Sequence, residues 1–153
     1  MKKLVSVFLV LMLMVSCCGC NNSTDETPIK AKDYKIALVC NFTDTIDDGV
    51  GVDIFNSIKE FYSSKNHHGK KYHPQNDSAV NIINCIEGAI NDGYDVICVI
   101  GDDYGNAVSS VAAQYPNTIF VIFGMKGAIA VHNNVYCCNL NQDYLSFYNS
   151  ILK

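Results

Sequence analysis

"GYDVICVIGDDYGNAVSSVAAQYPNTIFVIFG", residues 93–124, sets two short apolar runs on either side of one helical pattern. The runs "DVICVI" (95–100) and "TIFVIF" (118–123) are continuous and rich in β-branched residues, as expected of strands covered on both faces. Between them Ala107, Val108, Val111, Ala112 and Tyr115 share one stripe at helical spacing, and Pro116 stops it. A buried strand, a helix and a second buried strand make a right-handed crossover between parallel neighbours.

The same grammar extends in both directions. Upstream, "KIALVC" (35–40) is a third buried run, and two more helical stripes follow it: Ile54, Phe55, Ile58, Phe61 and Tyr62, then Ala79, Ile82, Ile83, Ile86 and Ile90. Asp77 is placed to cap the second of these and Gly93 to end it. "KKYHP" (70–74) reads as a more polar edge strand, and "NVYCCN" (134–139) as a fifth strand feeding a last helix over 142–153. The predicted class is α/β: a doubly wound parallel sheet with strand order 2-1-3-4-5.

The N-terminus has another character. Lys2 and Lys3 precede an apolar run from Leu4 to Val15, too short to span a bilayer comfortably, and "MVSCCGC" follows. A small residue before a cysteine, behind an apolar position, is similar to the bacterial lipobox; Cys17 fits best and Cys20 is the alternative for lipidation. Residues 1–16 are therefore expected to be a lipoprotein signal peptide, 17–33 a polar tether and 34–153 the folded lobe. The implied location is the extracytoplasmic face of a bacterial cell membrane.

Charge narrows the partners. Losing Lys2 and Lys3 takes the formal net charge from −4 to −6, and the chain has no arginine. Such a domain lacks both an electrostatic footprint for nucleic acid and a bidentate clamp for phosphate, so no nucleic-acid partner is expected. Of the eight cysteines, Cys17, Cys18 and Cys20 belong to the signal region, and Cys40, Cys85 and Cys98 sit in apolar patterns as small hydrophobes. Cys137 and Cys138 alternate across a strand and cannot chelate together, and His67, His68 and His73 read as a polar loop, so no metal is expected.

Ligands of doubly wound sheets collect beyond the carboxyl ends of the strands. That rule marks residues 41–48, 75–77, 101–106, 124–126 and 140–141 as a rim. No phosphate-cradling glycine motif occurs there, and Asp44, Asp47 and Asp48 would repel a phosphate. EF-hand spacing from Asp44 puts Ile46 and Phe55 where oxygen ligands belong. No nucleophile elbow is present, so no catalytic residue, enzyme activity or cofactor is expected. A phosphoacceptor receiver domain would share the fold and find acids at Asp102 or Asp103, yet it needs a lysine where the fifth strand is followed by "NLNQ" (139–142).

Taken in order, the lipobox, "YKIALVCNFTDTIDDGV" (34–50), the blocks over 70–124 and "NNVYCCNLNQDYLSFY" (133–148) resemble the basic membrane protein family, nucleoside-binding lipoproteins of ABC importers. The resemblance implies one lobe of a type I periplasmic-binding-protein-like fold, an ABC permease partner and a small-molecule ligand, a purine nucleoside. The family folds as two hinged lobes, whereas this sequence reaches only the first helix after the fifth strand, so the second lobe is expected to be absent. The alternative is an interaction lipoprotein without transport, or an inactive fragment. Asp47 aligns with a family aspartate, but Val50, Gly51, Gly124 and Tyr144 replace a phenylalanine, an asparagine, an aspartate and a glutamate. The ligand-binding residues expected on the rim are Asn41, Asp47, Asp48, Tyr104 and Asn106, with a carboxylate for sugar hydroxyls and the Tyr104 ring for a flat base.

Overall fold

The computed structural model describes residues 33–46, 49–62, 69–128 and 132–152. Five parallel strands form one sheet: β1 (Ile36–Val39), β2 (Lys70–Tyr72), β3 (Val96–Ile100), β4 (Ile119–Phe123) and β5 (Val135–Cys138). Their order is β2-β1-β3-β4-β5, as the apolar runs predict. Four helices alternate with them: α1 (Val50–Phe61), α2 (Ala79–Asn91), α3 (Asp102–Val111) and α4 (Tyr144–Ile151).

Strand alternation divides the core into two layers. Ile36, Leu38, Val96, Cys98, Val121 and Phe123 face α1 and α4, where they meet Ile54, Ile58, Phe61 and Tyr148. Ala37, Val39, Ile97, Val99, Phe120 and Ile122 face α2 and α3, against Ile82, Ile86, Val108 and Val111. Every residue of β1 and β3 is buried, which is why these runs carry no polar alternation. Cysteine fills small volumes in this core, with Cys40 and Cys98 buried and reduced. Burial pushes the Cys98 thiol up to about 12, so it stays protonated. On the edge strand β5 the vicinal pair splits as expected, Cys137 exposed and Cys138 buried.

Three element ends differ from the sequence expectation. Ser78, not Asp77, caps α2, its Oγ accepting from the Asn81 N–H at 3.4 Å. Two adjacent residues could cap, and the one directly before the helix does, which releases Asp77 for the rim. The third helix ends at Val111 and passes through a 3-10 turn, Ala112–Gln114, before Pro116. The last helix starts at Tyr144 because Asp143 caps it, accepting from the N–H groups of Leu145 and Ser146.

Candidate ligand-binding rim

All strands being parallel, every helix begins at the carboxyl end of the sheet and its unpaired N–H groups gather there. The first rim loop leaves β1 through buried Cys40, and Asn41 caps a 3-10 turn, Phe42–Thr45, by accepting from the Thr43 N–H at 3.2 Å. The turn packs tightly on the start of α1: a Cβ at Gly49 would lie 2.3 Å from the Asp44 carbonyl oxygen, and one at Gly51 2.6 Å. These glycines therefore allow α1 to dock on the rim, which is the physical reason for "GVG" (49–51).

The amide of Asn41 also reaches across to the loop after β2. Its Nδ2 donates to both carboxylate oxygens of Asp77, at 3.0 and 2.8 Å. Tyr104, from the first turn of α3, donates its hydroxyl to the same carboxylate at 3.2 Å. Asp77 is thus held from two sides while it stays exposed, and no described cation forms an ion pair with it. It is the hub of the rim; the sequence reading put residues 75–77 on the rim but assigned Asp77 to the helix cap and left it out of the ligand-binding set. The signal for it lay in "NDS" (76–78), which offers one more capping residue than a helix needs.

Tyr104 corrects a second expectation. It is 5% exposed, so its ring belongs to the core and offers no face to a flat ligand. Its role is to position Asp77 through the hydroxyl. The exposed ring on the rim is Phe42, 61% accessible, which meets the His73 ring edge-on at 5.4 Å. His73 is fixed in turn by a contact of 3.0 Å between Nδ1 and the Cys40 carbonyl oxygen.

Asn106 lies one turn into α3 and lines a groove of about 240 Å³ between α2 and α3, together with Asp77, Asp103, Ile82, Ile83 and Ser110. This is below the roughly 300–1,000 Å³ of pockets that enclose a drug-sized ligand, so the groove alone would hold part of one. Asp47 and Asp48 lie outside the described residues, as do Cys17 and Cys20. Of the expected set, the structure brings Asn41, Tyr104 and Asn106 to one region, joined through Asp77.

Electrostatics separates the acids. Burial raises the Asp44 carboxyl above its ordinary value, and the nearby Asp77 charge pushes the same way. Asp102 moves down, because its Oδ1 accepts the backbone N–H groups of Lys126 at 2.8 Å and Gly127 at 3.2 Å. It ties the loop after β4 to the start of α3. Cys40, buried and facing Asp44, is pushed up to about 12, so the rim holds no thiolate there. Among the described residues no three His, Cys, Asp or Glu side chains group as metal ligands.

The rim belongs to a chain with recognisable relatives. The "Transcriptional activator protein med" of Bacillus subtilis (strain 168) is 27% identical over 150 residues, 95% of this chain. The chain spans 42% of that relative's length. Among solved structures, a protein assigned as a lipoprotein from Peptoclostridium difficile 630, itself a fragment, superposes with a TM-score of 0.61 at 19% identity, covering 76% of this chain and 93% of that one. A transcriptional activator of the comK gene from Bacillus halodurans gives 0.52 at 17% identity, covering 67% of this chain and 33% of that one. These two likenesses carry the fold, an α/β lobe of the periplasmic-binding-protein type. Family membership rests on a separate match over residues 35–148, from β1 to α4: the chain belongs to the Bmp family of PnrA-like ABC transporter substrate-binding proteins.

Proposed function

We propose that this chain is a membrane-anchored substrate-binding lipoprotein of an ABC importer and that its rim takes a purine nucleoside. The family supplies the coarse role, binding of a small-molecule substrate for a transporter. The observation that carries the finer reading is the Asp77 carboxylate, exposed on the rim, aimed by Asn41 and Tyr104, and without a described cation to neutralise it. Such a group accepts hydrogen bonds from sugar hydroxyls or an amine and repels a phosphate. Phe42 supplies the exposed ring for a base, and Asn106 a donor and an acceptor in the adjoining groove. Asp47 and Asp48, next in the first rim loop, are assigned to the same ligand on their place in the sequence.

The anchor is part of this reading. Residues 1–16 are the signal peptide, Cys17, or alternatively Cys20, carries the lipid, 17–33 form the tether and 34–153 the lobe. Among the described residues no helix is long and apolar enough to cross a membrane. Calorimetry or a thermal-shift panel on the full chain in mild detergent tests the ligand. Adenosine, guanosine or inosine at millimolar concentration should raise the melting temperature, and their monophosphates should bind more weakly. Hydrogen bonds to a charged group contribute about 1.5–3 kcal/mol, so Asp77→Ala should cost roughly ten-fold or more in affinity. Tighter binding of a monophosphate would refute the electrostatic reading.

A second reading has its own support. Two matched relatives are described as transcriptional activators, so this type of lobe also occurs in proteins with other roles, and an interaction lipoprotein without transport is the alternative. A response to no nucleoside would favour it.

A further inference from the structure

The sheet has a second charged region, along its β2 edge and running toward the amino end. Lys59 in the last turn of α1 and Lys71 on β2 both lie over the Phe55 ring, their Nζ atoms 5.1 and 4.7 Å from its centroid. The two legs meet at one centroid, so the two ammonium groups sit within about 10 Å of each other. Neither forms an ion pair with a described residue. Beside them Lys70 projects from the same edge strand, over the Tyr72 ring and paired with Asp92 at 2.9 Å. Of the acids at this end, Asp92 is taken by Lys70 and Asp95 accepts the Lys35 backbone N–H, while Asp33 and Glu60 are the exposed carboxylates, Glu60 next to Lys59 in sequence. A chain of net charge −4 thus keeps on one aromatic platform two ammonium groups that pair with no described carboxylate, Lys59 donating only to the Asn56 amide oxygen at 3.3 Å.

Their place in the fold says what they face. β2 pairs with β1 in parallel with Lys70 beside Ala37 and Lys71 beside Leu38, so the lysines flank the strand by which the chain enters the lobe. The described chain begins at Asp33, three residues before β1, at that same end. The proposed tether, residues 17–33, cannot span more than about 60 Å whatever its conformation. Such a leash keeps the lysine edge near the bilayer at an effective concentration in the millimolar range, where a weak electrostatic contact sets orientation.

We infer that the edge formed by Lys59, Lys70 and Lys71 lies on the anionic lipid surface of the membrane, turning the carboxyl-end rim outward. Each lysine near an anionic bilayer strengthens the contact about five-fold, and the contact fades with salt. This inference rests on the anchor part of the proposed function and is independent of the ligand.

The full lipoprotein is reconstituted in neutral phosphatidylcholine vesicles and in vesicles with 30 mol% phosphatidylglycerol, on the order of a plasma-membrane anionic content, and its lysines are acetylated under pulse conditions. Lys59 and Lys71 should react at least five-fold more slowly on the anionic vesicles, with 0.5 M NaCl restoring the rate, while Lys126 on the rim reacts equally on both. Replacing Lys59 and Lys71 together by Gln should remove the slowing of Lys70 without changing the melting temperature by more than a few degrees. Equal labelling on the two vesicles, or equal slowing of Lys126, would overturn the inference and leave the lysines as guards of an edge strand. Sedimentation with neutral vesicles at high salt reports the anchor separately. If the chain stays off those, the anchor reading fails, and the patch is judged on the salt-sensitive fraction that sediments with anionic vesicles; none at all overturns it too.

Discussion

The two ends of this sheet are built from the same strands and helices yet differ in charge balance. The carboxyl end sets Asp44, Asp77, Asp102, Asp103 and Asp143 against Lys126, whereas toward the amino end Lys59 and Lys70, with Lys71 on the edge strand, stand among Asp33, Glu60, Asp92 and Asp95. Part of the difference is topology. Parallel strands align all helices, so their positive N-terminal poles share the carboxyl end and favour Asp102, Asp103 and Asp143, while a C-terminal pole favours Lys59. The comparison therefore shows which charges need another explanation. Asp77 lies outside α2, leaves the cap to Ser78 and spends its carboxylate on donors from two other segments. Lys71 is on a strand, with no helix pole to reward it. Helix poles account for neither residue, and the proposed ligand contact rests on the first and the proposed membrane contact on the second.

The largest effect tests the sheet that separates the ends. Val99, fully buried in the central strand β3, belongs to an apolar layer, and Val99→Asp would bury a carboxylate there. The expected loss exceeds about 4 kcal/mol, most of the stability of a domain this size, and unfolded chain by circular dichroism is the expected outcome. Native melting of this variant would show that the sheet does not pass through Val99 as described. Phe120→Ala, which only opens a cavity, should cost roughly 3–5 kcal/mol.

Next comes the docking of α1 on the rim. Gly51→Ala sets a Cβ 2.6 Å from the Asp44 carbonyl oxygen, a backbone atom that cannot swing aside. A loss of about 1–3 kcal/mol is expected. Gly88→Ala, in α2 with nothing within 4 Å of the new Cβ, should instead gain roughly 0.5–1 kcal/mol. Chemical denaturation of the pair gives the sign of each; a stable Gly51→Ala would mean that the rim loop is not held where it is described.

Legibility followed the same division. The strand order and both core layers could be read because burial on two faces leaves continuous apolar runs, and β1, β3 and β4 owe their pattern to nothing else. The rim positions could be listed, since parallel topology fixes where the loops gather. What each rim residue does could not. The choice between Asp77 and Ser78 as cap turns on loop geometry, and the burial of Tyr104 on how α3 sits over β3 and β4. Neither leaves a trace in periodicity. The contact of Gly49 and Gly51 with Asp44 is tertiary in the same way.

A moderate effect isolates the hub. Asp77→Ala leaves the Asn41 amide and the Tyr104 hydroxyl without their acceptor, and Tyr104 is nearly buried. About 1–2 kcal/mol of stability should go, with the affinity loss given above. Phe42→Ala, an exposed ring, should leave stability within about 0.5 kcal/mol and lower affinity only. If Asp77→Ala melts like the wild type, the three-residue network is not formed in solution.

The smallest effect is a pH dependence, and the rim acids predict its sign. Asp102 is held below its ordinary value by two backbone N–H groups, Asp143 by the Ser146 hydroxyl and backbone, and, at the other end, Asp92 by Tyr72 and Lys70. A depressed folded pKa gives stability that is complete above the unfolded value near 3.9 and is lost as pH falls through the folded one. Asp44 works the other way: burial and Asp77 raise it, so its ionisation costs stability as pH rises from about 3.9 through its folded value. Three depressed acids against one raised acid make the melting temperature fall in acid, below about pH 4. Asp102→Asn, whose amide oxygen can still accept an N–H, should melt lower than the wild type at pH 7, and the two curves should converge as pH falls through the Asp102 pKa. Asp44→Asn should melt slightly higher at pH 7 and converge from above. Melting curves from pH 2.5 to 7 separate the two variants, and an Asp102→Asn deficit that persists unchanged at pH 2.5 would show that the loss is one of packing, with no contribution from the carboxylate's charge.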